Sequence, residues 1–171
     1  RLEQAALAFR QACQLNPESA AAHSNLGSVL QAQGHFDQAV TAYRQAITIQ
    51  PDNGDTHYNL GTMLQAQGRI NEATAAFERA IAIRPGDLEA LVNLGAVLTM
   101  QGEFDRAATV LQAASEMNPG HHGAQFNLAC ALHKQGKLDM AIAVYRRAIV
   151  IKPDHTEAHS NLGNALQEQG K

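Results

Sequence analysis

An asparagine recurs at intervals of 34 residues along this chain, at Asn25, Asn59, Asn93, Asn127 and Asn161. A side-chain amide has two hydrogen-bond donors and an acceptor, so it can pair with the N–H and C=O of an extended peptide whatever side chains that peptide has. A row of such amides on one helical face therefore predicts recognition of a peptide backbone. The alternative interpretation is structural, in which the amides hold adjacent helices together.

The sequence offers little for catalysis or for metal binding. Cys130 and His133 lie at i and i+3 of one predicted helix face, but no further catalytic base and no Gly-rich phosphate loop accompany them. Eight histidines are present, yet no spacing among them brings three or four ligands to one point. We predict no catalytic residue, no metal site and no cofactor.

Composition limits the class of partner. The net charge is −3 and the pI is near 6.2, with Lys and Arg scattered, so we predict no binding of nucleic acid. Hydrophobic residues make up 45% of the chain, which indicates a folded protein. No apolar run approaches the ~18 residues that cross a bilayer, so we predict no membrane partner. Cys13 and Cys130 are too far apart in a solenoid for a disulfide, and we expect a cytoplasmic protein.

Other landmarks keep the same 34-residue interval. They are Pro17, Pro51, Pro85, Pro119 and Pro153, and Gly34, Gly68, Gly102, Gly136 and Gly170. A period of about 20 to 50 residues is typical of a solenoid in which each repeat contacts its neighbours. We predict a single array over residues 1–171. It consists of a half repeat at 1–19, full repeats at 20–53, 54–87, 88–121 and 122–155, and a half repeat at 156–171.

Each full repeat contains two helical patterns. In the first repeat, His23, Leu26, Gly27 and Leu30 occupy positions i, i+3, i+4 and i+7 of a helix that we term helix A. A similar stripe, which includes Tyr43, marks a second helix, helix B. The sequence therefore predicts an all-α fold of antiparallel helix pairs, with ten helices that begin with a helix B and end with a helix A.

Short polar residues and glycines mark the predicted helix ends. The predicted N-caps are Ser19, Asn53 and Asp87 for helices A, and Asp37, Asn71, Asp105 and Asp139 for helices B. Gly34 and its counterparts, Gly170 among them, follow helices A, where a left-handed residue is favoured. Gly27, Gly61, Gly95 and Gly163 lie inside helices A, and the fourth copy has Ala129 instead. A small residue at this position predicts that helix A and the alanines of helix B approach closely. Because the fourth copy has alanine there, we expect Gly95→Ala to be tolerated.

These landmarks resemble the tetratricopeptide repeat signature, which reads W-x2-L-G-x2-Y, then A-x3-F, then P. The matching residues of the first full repeat are His23, Leu26, Gly27, Leu30, Ala39, Tyr43 and Pro51. The resemblance covers all 171 residues. It departs from the signature where His, Leu or Gln replaces Trp, where leucine replaces Tyr in helix A, and at Leu111 in the third helix B. Because the family places a packing aromatic at the first of these positions, we interpret His23, His57 and His159 as core-filling rings.

The resemblance implies a right-handed superhelix whose concave groove is lined by helices A and binds peptides or proteins. By correspondence, the candidate peptide-binding residues are Asn25, Asn59, Asn93, Asn127, Asn161, Asp55, Tyr58, Thr62, Gln65, Glu89, Phe126 and Lys134. The asparagine ladder resembles that of the repeat superhelix of O-linked N-acetylglucosamine transferases and related bacterial proteins. For Tyr58 and Phe126, packing between helices A is the alternative interpretation.

Charge in the implied groove limits the ligand. Lys134 is its only basic residue, against Asp55, Glu89, Glu157 and Glu168. Family members that clamp the acidic tails of chaperones use several Lys and Arg residues, so such a ligand is disfavoured here. We expect a neutral or mildly basic segment, rich in Ser and Thr.

The leading hypothesis is a noncatalytic module that binds an extended peptide or protein segment. A first alternative is substrate recognition for a glycosyltransferase domain elsewhere in a longer parent chain. A second is a scaffold that assembles head to tail, because the last helix A, with Leu162 and Leu166, and the first helix B, with Phe9, have no repeat partner in this sequence.

Overall fold

The computed structural model describes residues 1–170, and Lys171 lies outside the described residues. Residues 1–170 form ten α-helices and no strand, which confirms the all-α prediction and the order of helices. The helices are α1 (Leu2–Leu15), α2 (Ala20–Ala32), α3 (Phe36–Ile49), α4 (Gly54–Ala66), α5 (Ile70–Ile83), α6 (Leu88–Met100), α7 (Phe104–Met117), α8 (His122–Lys134), α9 (Leu138–Ile151) and α10 (Thr156–Gln169). Even-numbered helices are the predicted helices A, and odd-numbered helices are the predicted helices B.

The helices belong to two compact units, Arg1–Asp87 with α1 to α5, and a second unit that begins at Leu88 and contains α6 to α10. In the first unit, each of α1 to α4 packs against the next helix in the chain. In the second unit, the same holds for α6 to α9, and α8 also contacts α6 and α10. The single array over residues 1–171 stays a prediction.

Glycine ends helices A as predicted. The φ angles of Gly34, Gly68, Gly102 and Gly136 are 78°, 72°, 80° and 75°. In the first of these turns, the Gly34 N–H donates to Gln31 O and the His35 N–H to Leu30 O, both at 2.9 Å, which is the Schellman pattern. The prediction is wrong for Gly170, whose φ is −80°, because its N–H continues the helical pattern by donating to Leu166 O at 3.2 Å.

Two of the predicted N-caps of helices A, Ser19 and Asn53, make the expected side-chain capping bond. Ser19 Oγ accepts the N–H of Ala22 at 3.3 Å, and Asn53 Oδ1 accepts that of Thr56 at 3.0 Å. At α8 the cap is His121, whose ring Nδ1 accepts a backbone N–H at 3.0 Å. Sequence patterns missed this cap, since histidine is not among the residues that usually fill the position.

The predicted N-caps of helices B are wrong. The residues that occupy the position are His35, Arg69, Glu103 and Lys137, and none makes a side-chain capping bond. The turn after helix A is so short that Asp37 and Asp105 already lie in the first helical turn, where a carboxylate is favoured by the helix dipole. Each accepts a bond of 2.8 Å from the glutamine that ends the next helix A in its own unit, Gln67 or Gln135. These acids therefore connect neighbouring repeats.

The glycine inside helix A contacts a large side chain of helix B rather than its alanines. A Cβ atom on Gly27 would lie 2.7 Å from the Tyr43 ring, and one on Gly95 would lie 2.2 Å from Leu111 Cγ. Tyr43 and Leu111 are both fully buried. The expectation that Gly95→Ala is tolerated is therefore contradicted, because the side chain of Leu111 occupies the space that a methyl group needs.

The histidines of helix A hydrogen-bond the preceding turn. The ring Nε2 of His23, His57 and His159 lies 3.0, 2.8 and 2.9 Å from the carbonyl oxygen of the proline six residues earlier. At the equivalent position, Gln125 Nε2 donates to Pro119 O at 3.1 Å. His57 is buried, whereas His159 is exposed, so the core-filling interpretation is wrong for His159.

Candidate functional site

We use the term A-helix face for the side of α2 and α4 in the first unit, and of α6, α8 and α10 in the second, that carries the repeated asparagine. In the first unit, α2 and α4 lie side by side and are joined by a contact of 3.3 Å between Ser24 Oγ and Thr56 Oγ1. Asn25 is exposed and Asn59 is half-buried. Within residues 1–170, neither side-chain amide makes a hydrogen bond.

In the second unit, Asn93, Asn127 and Asn161 are all half-buried. The Asn127 amide makes no hydrogen bond to another described residue. Asn161 Nδ2 instead donates to Cys130 Sγ at 3.6 Å and so connects α10 to α8. The structural alternative for the asparagines thus has an observed example at Asn161, while Asn127 keeps its amide available.

On the A-helix face of the first unit, the two repeats differ at a buried aromatic residue of helix B, which is Tyr43 in α3 and Phe77 in α5. The Tyr43 hydroxyl donates to Gln31 Oε1 at 2.9 Å and lies 3.2 Å from Ser28 Oγ. Burial raises the pKa of Tyr43, which keeps the hydroxyl protonated as a donor. The next helix B has Phe77, so the counterpart of Gln31, which is Gln65, has no such partner and makes no side-chain hydrogen bond within residues 1–170.

Thr62 lies one turn from Gln65 on the same helix, and its Oγ1 donates to the carbonyl oxygen of Asn59 at 2.8 Å. The threonine oxygen keeps lone pairs that can accept a further bond. Asn59, Thr62 and Gln65 therefore form a row of polar groups along half-buried positions of α4.

A buried tyrosine organises the end of the face in the second unit. The Tyr145 hydroxyl donates to Cys130 Sγ at 3.5 Å and lies 3.5 Å from His133 Nδ1. Burial raises the pKa of both Tyr145 and Cys130, and the bond to Cys130 adds to the shift of Tyr145. A cysteine whose thiolate is disfavoured is a poor nucleophile, so this cluster has the character of packing rather than of a catalytic pair.

Asp55, the candidate acidic residue on the A-helix face of the first unit, forms an ion pair with Arg84, which sequence patterns missed. Asp55 Oδ1 lies 2.6 Å from Arg84 Nη1, and the same guanidinium contacts Asp87. Gly54 makes room for this arginine, since a Cβ atom there would lie 2.8 Å from Arg84 Nε. Arg84 escaped notice because it lies in the turn after α5, 29 residues from Asp55, and no helical spacing relates the two.

Each acidic residue of the face in the second unit has a histidine beside it. The ring Nε2 atom lies 3.1 Å from a carboxylate oxygen in the pairs His121–Glu89 and His133–Glu168, and 3.7 Å in the pair His155–Glu157. Lys134 is exposed and makes no hydrogen bond or ion pair with another described residue.

The two predicted apolar anchors are partly used in packing. Tyr58 is half-buried, with its ring centroid 5.9 Å from that of Phe77. Phe126 is half-buried, with the His155 ring edge-on at 4.6 Å and the Tyr145 ring at 6.3 Å. Both side chains therefore keep a partly exposed surface.

Two other classes of site have no counterpart in residues 1–170. No group of three or more His, Cys, Asp or Glu side chains in this range could hold a metal ion. None of its helices is both long and apolar enough to cross a membrane.

Three protein-family models match segments of this chain. A family model described as TPR repeat matches residues 1–34 and 130–170, and two models described as tetratricopeptide repeat match residues 18–86 and 64–131. The chain belongs to the tetratricopeptide repeat (TPR) family. A comparison with curated protein sequences finds no match.

Solved structures are similar to this TPR chain over most of its length. YrrB, described as a TPR protein with an unusual peptide-binding site, is 28% identical with a TM-score of 0.87, over 94% of this chain and 82% of YrrB. MamA is 20% identical with a TM-score of 0.84, over 91% of both chains. A MamA fragment from Desulfovibrio magneticus RS-1 is 21% identical with a TM-score of 0.84, over 88% of this chain and 85% of that one. The two MamA structures support the fold alone.

Proposed function

We propose that this TPR protein is a noncatalytic interaction module whose A-helix face binds an extended protein segment, with side-chain amides that read the backbone of the segment. The availability of the amides of Asn25, Asn59 and Asn127 carries this proposal, since none is hydrogen-bonded within residues 1–170. A ligand that covers a half-buried amide removes its water, and the loss is offset only if the ligand supplies hydrogen-bond partners. Every residue of an extended peptide supplies both an N–H donor and a C=O acceptor, except proline, which supplies only the acceptor.

The charges of the A-helix face favour a neutral or mildly basic ligand. Asp55 is paired with Arg84, so the first unit presents mostly amides and hydroxyls. On the A-helix face of the second unit, the described carboxylates of Glu89, Glu157 and Glu168 each lie beside a histidine, which is charged only when protonated. A Ser- and Thr-rich segment with an occasional Lys matches both surfaces. YrrB, the similar structure whose description names a peptide-binding site, supports a peptide as the ligand.

A synthetic Ser/Thr peptide with one Lys, and the same peptide with N-methylated backbone amides, test the proposal. The variant Asn59→Ala, Asn127→Ala should bind the first peptide with an affinity lower by about 1 to 3 kcal/mol, at about 0.5 to 1.5 kcal/mol for each lost hydrogen bond. The N-methylated peptide should bind weakly to both proteins, because it lacks backbone donors. Isothermal titration calorimetry measures all four combinations.

Gln11→Ala, which removes an exposed amide of α1 outside the A-helix face, is the control and should leave peptide affinity unchanged. Circular dichroism should show equal helicity for all variants. Unaltered affinity of the asparagine variant, together with a large loss of thermal stability, would show that the ladder is structural and contradict the proposal.

A second proposal is head-to-tail self-association, favoured by apolar side chains on the terminal helices. On α10, Leu162 is half-buried and Leu166 is 40% exposed, and on α1, Phe9 is half-buried. Sedimentation over a concentration series should show weak association that Leu162→Glu, Leu166→Glu abolishes. Equal association of the variant and the parent would reject it.

A further inference from the structure

Two grooves lie on the opposite side of the first unit, between its helices B. The larger, with a volume of about 500 Å³, is bounded by α3 and α5 with α4 at its floor. The smaller, of about 260 Å³, is bounded by α1 and α3 with α2 at its floor. Each residue that lines the smaller groove has a counterpart 34 positions later that lines the larger one, as Arg10 has Arg44 and Leu30 has Leu64. The grooves are one feature repeated in register.

The floors of the grooves are apolar. Leu60 and Leu64 of α4, which are only 8% and 2% exposed, form the floor of the larger groove, and the half-buried Ile47 adds to its wall. Small residues of α5, Ala75 and Ala76, keep this groove open. A volume of this size lies within the range of about 300 to 1,000 Å³ that is usual for ligand sites, so it accepts an apolar side chain.

The rims of the grooves carry an excess of positive charge, since the lining residues include Arg10, Arg44 and Arg79 but only one acid, Glu72. Arg44 is paired with Glu72 at 2.6 Å, and the guanidinium of Arg79 with Asp52 at 3.0 Å. The side chains of both arginines are about half exposed, and exposed pairs of this kind contribute little to stability. The arginines can therefore exchange these partners for carboxylates of a ligand.

We propose that these two grooves form a second interaction surface, on which a partner protein segment places two apolar side chains, one in each groove, with acidic residues between the arginines. The repeated floor supplies two apolar sites of different size at equivalent repeat positions, and the arginines select the charge of the segment. This surface faces away from the asparagine row, so its ligand is independent of the one proposed for the A-helix face.

A synthetic peptide with two phenylalanines among glutamates is the probe. Matched peptides replace phenylalanine by serine or glutamate by lysine. In amide NMR spectra of the full chain, the first peptide should shift resonances of α3 and α5, and both matched peptides should bind at least about tenfold more weakly, because one loses the apolar anchors and the other the ion pairs. Equal binding of all three peptides would overturn the proposal.

Two variants locate the binding. Ala75→Phe fills the larger groove from an exposed position and should weaken the phenylalanine–glutamate peptide at least about tenfold. Ala143→Phe is the matched control, because Ala143 is the exposed residue of α9 at the repeat position of Ala75. In that repeat, Gln125 and Ser115, which are hydrogen-bonded to each other, stand where the larger groove has His57 and Ile47. This variant should leave peptide affinity unchanged. Equal losses for the two variants, or binding that Asn59→Ala weakens and Ala75→Phe does not, would reject the grooves as the site.

Discussion

Helices α4 and α10 occupy the same place in their repeats but differ in what covers them. The residues of α4 that are buried are Gly54, Thr56, His57, Leu60, Gly61, Met63 and Leu64, whereas those of α10 are Ala158 and Ala165. The helix α4 packs against two helices B, α3 and α5, whereas α10 packs against one helix B among the described residues, α9. Each also contacts the preceding helix A, α2 or α8. Equivalent residues therefore differ in energetic role according to their neighbours, and not according to their type.

The glycine inside the helix shows the difference at atomic scale. A Cβ atom on Gly61 would lie 2.7 Å from the Phe77 ring, whereas one on Gly163 would have nothing within 4 Å. In α4 a methyl group at this position requires the Phe77 ring to shift. In α10 the same residue only weakens the helix, because glycine loses more backbone entropy on folding than alanine does.

The largest difference is expected from the leucine near the end of each helix. Leu64 is 2% exposed and Leu166 is 40% exposed. Leu64→Ala should lower the free energy of unfolding by about 2 to 5 kcal/mol because it leaves a cavity, and Leu166→Ala by less than about 1 kcal/mol. Urea denaturation followed by circular dichroism measures both, with hydrogen exchange of each helix to detect unfolding of α10 alone. Equal losses would show that the two helices are buried alike.

The glycine pair should respond to alanine with opposite signs. Gly61→Ala should destabilise the protein by about 1 to 3 kcal/mol, since the Phe77 ring must move, and Gly163→Ala should stabilise α10 by about 0.5 to 1 kcal/mol. In the double variant Gly61→Ala, Phe77→Ala, the cost of the alanine should largely disappear, because the ring that it meets is gone. Strict additivity of the two substitutions would reject this contact as the cause.

The smallest effect concerns the glycine after each helix. Gly68 has φ of +72°, and a methyl group added there would have nothing within 4 Å, so Gly68→Ala should cost about 1 kcal/mol through backbone strain alone. Gly170, whose φ is −80°, should accept alanine without loss. Thermal melting of the two variants makes the comparison. A cost for Gly170→Ala equal to that for Gly68→Ala would show that both glycines need a left-handed backbone.

The sequence predicted that every helix A carries an asparagine at the same repeat position, but it did not predict which side chains bond to the other residues of the candidate site. The 34-residue interval places an asparagine on each helix A, and the structure has an asparagine on each of them. No sequence pattern indicated that Arg84 pairs with Asp55, or that Phe77 leaves Gln65 without the partner that Gln31 has. These contacts join residues of different helices and turns, whose distances depend on how the repeats stack.

The sequence by itself determined the period, the ten helices and the left-handed glycines other than Gly170, because helix formation and tight turns depend on residues a few positions apart. Only the tertiary structure decided that Asp37 bonds Gln67 instead of capping its own helix, that a ring covers Gly61, and that grooves open between helices B of the first unit. Those outcomes depend on side-chain volume and on contacts between repeats. A repeated sequence specifies the same helix each time, but burial and bonding are set by the neighbours against which each copy packs.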